Sequence, residues 1–315
     1  MRLATFRRNG GPARVALATA DERVIDLAAA DPLEPAFQSM LALIDAGQDG
    51  LAVARRAADR LEATGAGDGV LAIDEVTLLA PIPRPRRNVF CVGLNYPSHV
   101  EQNARALGLR PEVADVPLFF TKPTTAVIGT GEGIRLDTRL TTKLDYEVEL
   151  AIVIGRGGIW IEPERALEHV FGFTIVNDVS ARDLQWRTSQ MFIGKGLDTF
   201  CPLGPWIVTP DETGKDPAFE LGCRVNGEER QRDTTASMIF GVRQVIAELS
   251  KGITLEPGDI IATGTPGGCG YQLVPPRFLA VGDVVECWAS GIGSLTNPVA
   301  RSAPPGSPVG DRADR

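Results

Sequence analysis

Beyond residue 88 the apolar positions fall in short runs broken by Gly, Pro, Asn and Asp, a texture of strands and turns. Runs at Val89 to Val92, Leu118 to Thr121, Val148 to Ile154, Phe173 to Val176, Trp206 to Val208, Leu221 to Val225, Asp259 to Thr263 and Asp283 to Trp288 predict strands. Helical periodicity is scarcer, confined to the stretch after Pro97-Ser98, to about Glu162 to Val170 and to about Met238 to Ser250. That balance predicts an α+β, β-rich domain around a rolled or barrel-like sheet. A doubly wound parallel sheet would need a helix after nearly every strand.

Residues 1 to 80 read as a small N-terminal α/β module, with strands near Leu3 to Phe6 and Val15 to Ala18 and Ala-rich helix from about Pro35 to Leu61. Residues 81 to 88, Pro-Ile-Pro-Arg-Pro-Arg-Arg-Asn, form a Pro-rich linker, because proline lacks the amide donor that helix or central strand requires. Residues 301 to 315 are poor in apolar side chains and predict a disordered tail.

A net charge of -8 argues against nucleic acid as a partner, since phosphate binding needs surplus Lys and Arg on one face. The lack of a long apolar run or of a signal-peptide pattern predicts a cytoplasmic protein without a membrane partner. Five scattered cysteines, never spaced C-x-x-C, read as buried free thiols. With only His99 and His169 in the chain, a three-histidine zinc site is ruled out.

The candidate chemistry starts at Asp145-Tyr146-Glu147-Val148-Glu149. In a continuous strand alternate side chains share a face, so Asp145, Glu147 and Glu149 would project together. Carboxylates so close repel unless a cation lies between them, and hard oxygen donors suit Mg²⁺, Mn²⁺ or Ca²⁺; a solvent-facing acidic edge strand is the competing reading. Asp178, where an apolar strand ends, is either a third ligand or a helix N-cap. His99 is a candidate base beside Asn95, Tyr96 and Ser98, with His169 a weaker one. Gly194-Lys195-Gly196 frees a lysine beside flexible backbone, and Thr263 to Gly270 could bring backbone amides to an anion.

Taken in order, several segments resemble the fumarylacetoacetate hydrolase superfamily: Val92-Gly93-Leu94-Asn95-Tyr96, Thr121-Lys122-Pro123, Asp145 to Leu150, Asn177 to Gln185, Gly194-Lys195, Asp198-Thr199-Phe200 and Gly258 to Pro266. The resemblance implies a mixed β-roll catalytic domain over residues 89 to 300, usually dimeric, holding one Mg²⁺ or Mn²⁺, with Ca²⁺ an alternative, on Glu147, Glu149 and Asp178. It implies His99 and Lys195 as catalytic residues, and Tyr96, Arg182, Gln185 and Thr265 as substrate-binding residues for a small 2-oxo or diketo acid. Hydrolytic members pair the histidine with a glutamate three residues later; that position is Gln102 here, and Glu101 lies one residue short. The first expectation is hydrolysis of a carbon-carbon bond in an acylpyruvate or 2,4-diketo acid. The alternative is isomerisation, tautomerisation or decarboxylation of a 2-oxo or 2-hydroxy-enoic dicarboxylic acid such as oxaloacetate, which gains from the missing glutamate.

Overall fold

A computed structural model describes residues 1 to 64, 69 to 214 and 216 to 302. Its central strand is Val148–Ile154, seven residues of which every side chain is buried. A run with so little polarity has to be covered on both faces, and it lies between antiparallel neighbours, Val170–Asn177 on one side and Ile260–Ala262 on the other. Even-numbered residues (Val148, Leu150, Ile152, Ile154) enter one apolar cluster, and Ala151 and Val153 enter the other. The central position excludes the acidic edge strand.

From this pair the sheet grows in both directions. Cys201–Val208 lines up against Val170–Asn177, and Val89–Gly93 runs parallel to Ile260–Ala262 with Leu118–Lys122 beyond it. The leading segment joins the same sheet: Arg2–Arg7 is antiparallel to Cys201–Val208, with Leu3 opposite Ile207, and Arg14–Ala18, Arg23–Asp26 and Val70–Ala72 follow outward. Met40–Asp45 and Gly47–Thr64 are the longer helices of that segment, and Leu43, Ile44, Ala54 and Ala57 share a core with Ala151, Val176 and Ile260.

A second sheet, in the order Glu228–Thr234, Glu220–Val225, Val284–Ala289, Gly293–Arg301, Ile134–Leu136, packs on the other face. The result is the expected strand-rich α+β architecture of two sheets around a shared core. Two predicted helices differ in detail. Pro163–His169 is a 3-10 helix, and the last of the three predicted helices spans Val242–Leu249, because Gly241 caps it in extended backbone and Met238 to Phe240 are not helical. Arg301 closes the last strand, so the tail expected from there lies, from residue 303, outside the described residues. The five cysteines are free and buried. No helix among the described residues is long and apolar enough to cross a membrane.

Candidate active site

The acidic stretch is not one strand. Leu144–Asp145 pairs with Ser180–Ala181, Tyr146 and Glu147 lie between ladders, and the central strand begins at Val148. The break sends Asp145 elsewhere: its carboxylate accepts hydrogen bonds from the amides of Gly270 (2.7 Å) and Tyr271 (3.1 Å) and from Arg182 Nε (2.9 Å). Glu147 and Glu149 instead converge with Asp178, one carboxylate oxygen of each lying within 4.8 Å of the others. Asp178 is no helix cap, since the helix after it starts at Arg182 with Ala181 in the cap position.

Three buried cations face this cluster. Lys195 Nζ sits between Glu147 Oε2 and Asp178 Oδ2, at 2.7 Å from each. Lys122 Nζ lies 2.6 Å from Asp178 Oδ1 and donates to the carbonyls of Val179 and Lys195. Arg182 pairs with Asp145 and Glu147 while donating to Gln185 Oε1, so all three guanidinium nitrogens are engaged. Burial works against the charges of Lys195 and Arg182, but the adjacent carboxylates outweigh it and hold both pKa values above their ordinary ones. Glu147 is the reverse: burial would raise it, and Lys195 with Arg182 bring it well below the usual range.

Glu149 is left over. Against four carboxylates (Asp145, Glu147, Glu149, Asp178) stand three cations (Lys122, Arg182, Lys195), and the hydrogen bond Glu149 accepts comes from the amide of Gly264, at 2.8 Å. Burial and the nearby charges of Asp178 and Glu147 push its pKa far above 4.5. A site of three converging carboxylates, one of them uncompensated, has the donor set and the missing charge of a divalent-cation site. The residues fit such an ion.

His99 lies in the first turn of the helix Pro97–Leu107, buried, and burial lowers its pKa to about 4. Its expected neighbour Gln102 turns away and accepts from the amide of Gly268 (2.8 Å). Glu101 is exposed. The partner of His99 Nδ1 is Gln272, whose amide nitrogen approaches to 3.1 Å, with Cys269 Sγ at 3.7 Å. His169 precedes Val170 at the other end of the strand pair that carries Glu149 and Asp178, is held by the carbonyl of Arg156 and does not line the cavity.

These groups open into a cavity of about 220 Å³ lined by His99, Glu147, Glu149, Asp178, Arg182, Gln185, Lys195, Thr265 and Tyr271, with Leu107, Leu118, Trp186 and Met191 towards its mouth. That is space for a small acid rather than an extended ligand. A family profile described as "Fumarylacetoacetate (FAA) hydrolase C-terminal" matches residues 88–300. The chain belongs to the fumarylacetoacetate hydrolase family.

Among its relatives in that family is the oxaloacetate tautomerase YisK of Bacillus subtilis (strain 168), 42% identical over 291 residues, which are 90% of this chain and 95% of the relative. Of solved structures, a fumarylacetoacetate hydrolase from psychrophilic Exiguobacterium antarcticum superposes with a TM-score of 0.79 at 40% identity, covering 96% of this chain and 100% of that one. A maleylpyruvate hydrolase from Sphingobium sp. SYK-6, solved with manganese(II) and pyruvate, superposes with a TM-score of 0.73 at 28% identity over the same shares.

Of the residues singled out in the sequence, the fold brings His99, Glu147, Glu149, Asp178, Arg182, Gln185, Lys195 and Thr265 to this fumarylacetoacetate hydrolase-type cavity. Tyr96 is not among them. Standing just before Pro97 in extended backbone, it turns its ring into the protein interior, fully buried and away from the cavity lining. Arg182 borders the cavity, yet its commitments to Asp145, Glu147 and Gln185 make it a brace for the carboxylates rather than a free donor for a ligand. The glycine-rich turn Thr263 to Gly270 does bind anions with its amides, but the anions are the protein's own Glu149 and Asp145. Lys122, Tyr271 and Gln272 join the site without a role legible in the sequence. Lys122 had a signal in its Thr-Lys-Pro motif, whereas Gln272 meets His99 across 173 residues of chain and had none.

Proposed function

We propose that this protein is a divalent-metal-dependent tautomerase of a small 2-oxo dicarboxylic acid of the oxaloacetate type, interconverting its enol and keto forms. The observation that carries this reading is that no carboxylate among the described residues hydrogen-bonds to His99. Gln272 and Cys269 occupy its Nδ1, and Gln102 is spent on Gly268. Hydrolysis of a carbon-carbon bond needs an attacking water and a base that takes its proton; enol-keto exchange needs no attacking water, only a group that handles the proton of the enol oxygen while the carbon takes one up from solvent. The 42% identity to an oxaloacetate tautomerase over 90% of the chain supports the same choice over the hydrolase expected first.

Glu147, Glu149 and Asp178 would hold Mg²⁺ or Mn²⁺. When bound, such an ion acts as a Lewis acid that favours the enolate of a 2-oxo acid. Lys195 Nζ, kept protonated by Glu147 and Asp178, is the donor beside the oxygen where enolate charge collects, and it can lend and recover a proton there. Thr265 Oγ1 accepts from Gln231 Nε2 (2.9 Å), which leaves its hydroxyl proton for a substrate oxygen. Gln185, whose carbonyl oxygen takes Arg182, directs one amide hydrogen to Met191 Sδ (3.4 Å) and has a second for a ligand. Burial keeps His99 uncharged near neutral pH, a polar wall rather than a positive one.

The test is turnover of enol-oxaloacetate, acetylpyruvate and fumarylpyruvate by metal-stripped protein, with and without Mn²⁺ or Mg²⁺, beside Glu149→Ala. Metal-dependent decay of the enol absorbance without pyruvate, abolished in the variant, is the expected result. Metal-dependent pyruvate release from an acylpyruvate would restore the hydrolase reading, which retains in its favour the presence of His99 in the cavity.

A further inference from the structure

We infer that Gln272 is a positioning residue that fixes His99 as the Nε2–H tautomer and thereby selects proton shuffling over water attack. The part concerning reaction choice rests on the tautomerase reading above; the part concerning the tautomer does not.

The argument turns on which way the Gln272 amide faces. Its Oε1 accepts from two backbone amides, Gly268 (3.0 Å) and Cys269 (3.1 Å). Backbone N–H groups can only donate, so the oxygen must lie on that side and the NH₂ on the other. The NH₂ group then meets His99 Nδ1 at 3.1 Å, the carbonyl of His99 at 3.3 Å and the hydroxyl of Tyr271 at 3.1 Å. An NH₂ has no lone pair to offer, so Nδ1 must be the acceptor in this contact. The other neighbour of Nδ1, the thiol of Cys269 at 3.7 Å, keeps its proton because burial raises its pKa, and it can donate to the same nitrogen. A neutral imidazole that accepts at Nδ1 carries its proton on Nε2.

His99 therefore turns a proton, not a lone pair, towards the cavity it lines. In that form it can hydrogen-bond to an enolate oxygen but cannot take a proton from water. A carboxylate at position 272 would invert this. It would keep both loop amides as donors to one oxygen and accept from Nδ1–H with the other, leaving the Nε2 lone pair free. Water could then pass its proton to Nε2 while its oxygen adds to the distal carbonyl carbon. The carbon-carbon bond would break with its electron pair moving into the pyruvate enolate, which recovers the proton.

The chain is suited to a direct test because it has two histidines with opposite expected tautomers: His169 Nδ1 faces the Arg156 carbonyl at 2.7 Å and must donate. Two-bond ¹H–¹⁵N spectra of the ¹⁵N-histidine-labelled, full-length protein near pH 8, assigned with His99→Asn, should show one residue of each type. In Gln272→Glu, Nδ1 of His99 should become protonated, enol-oxaloacetate tautomerisation should fall about tenfold, and acetylpyruvate cleavage should rise about a hundredfold. Two Nδ1–H histidines in the wild type would overturn the inference, as would a Gln272→Glu protein with an unchanged His99 spectrum or an unchanged ratio of cleavage to tautomerisation. Should the wild type lack enol-keto activity altogether, the tautomerase reading fails while the wild-type spectrum still decides the role of Gln272.

Discussion

Glu149 and His99 are both buried, which raises the pKa of the first and lowers that of the second, and each makes the metal-free protein respond to pH in its own direction. The Glu149 pKa is raised, so its contribution to stability is complete below 4.5 and is lost as pH rises through the higher value of the folded state. Glu149→Gln keeps the shape and an acceptor for the Gly264 amide while removing the charge. The metal-free variant should melt above the metal-free wild type, by a margin that widens from pH 5 to pH 9. Saturating Mn²⁺ should stabilise the wild type, by about 2.7 kcal/mol at a hundred times Kd, and leave the variant unmoved; equal metal responses would show that Glu149 is no ligand. The His99 pKa is lowered, so its contribution is complete above 6.5 and is lost as pH falls towards about 4. His99→Gln should therefore show a shallower fall in melting temperature than the wild type between pH 6.5 and 4, and parallel curves would contradict its burial as a neutral group. What the sequence revealed at this scale follows chain proximity. Glu147, Glu149, Asp178 and Lys195 sit in compact motifs, whereas helical spacing points from His99 to Gln102 one turn away and its partner is Gln272, in a segment brought alongside only by the fold.

Among the elements, the turn after Ile260–Ala262 does most to hold the site in register. Its amides bind Glu149, Gln102, Gln272 and Asp145, so one loop ties the carboxylates to the helix that carries His99. A comparable constraint joins the two short helices Arg182–Gln185 and Phe192–Lys195. A Cβ on Gly194 would stand 2.4 Å from the backbone nitrogen of Gln185, leaving no room for a side chain. Gly194→Ala must push the helices apart and carry Lys195 and Gln185 with them. A displacement near 1 Å can cost about a hundredfold in rate, so kcat/KM should drop on that scale while circular dichroism stays unchanged. A variant of full activity would mean that the helices have slack that the packing does not show. Sequence patterning found the apolar strands and missed Glu228–Thr234, whose seven residues are all polar. That strand is held by its neighbour's ladder, and Gln231 is its buried residue, reaching Val148 and Thr265.

For the molecule as a whole, the Pro-rich stretch at 81 to 88 reads in sequence as a seam, and the hydrogen bonding runs past it. Arg2–Arg7 supplies the strand next to Cys201–Val208, and residues from both sides of the stretch share one apolar cluster. A chain beginning at residue 81 would bare that strand's edge and the Ala151, Val176 and Ile260 face, so it should be recovered as aggregate rather than as a cooperatively melting protein. A soluble fragment with a sharp transition would show that the core is complete without the leading segment. Long-range strand pairing of this kind has no local signature, which is why the β-rich class was readable and the extent of the sheet was not. The cavity has a further consequence at this scale. Its reactive carboxylates and cations are buried, while the more exposed Leu107, Leu118, Trp186, Thr188, Ser189 and Met191 frame the opening. Chemistry and selectivity are thus carried by different side chains, even where they alternate along one stretch between Arg182 and Lys195. A library confined to those six positions would vary which acids are admitted without disturbing what is done to them, and natural divergence can follow the same route.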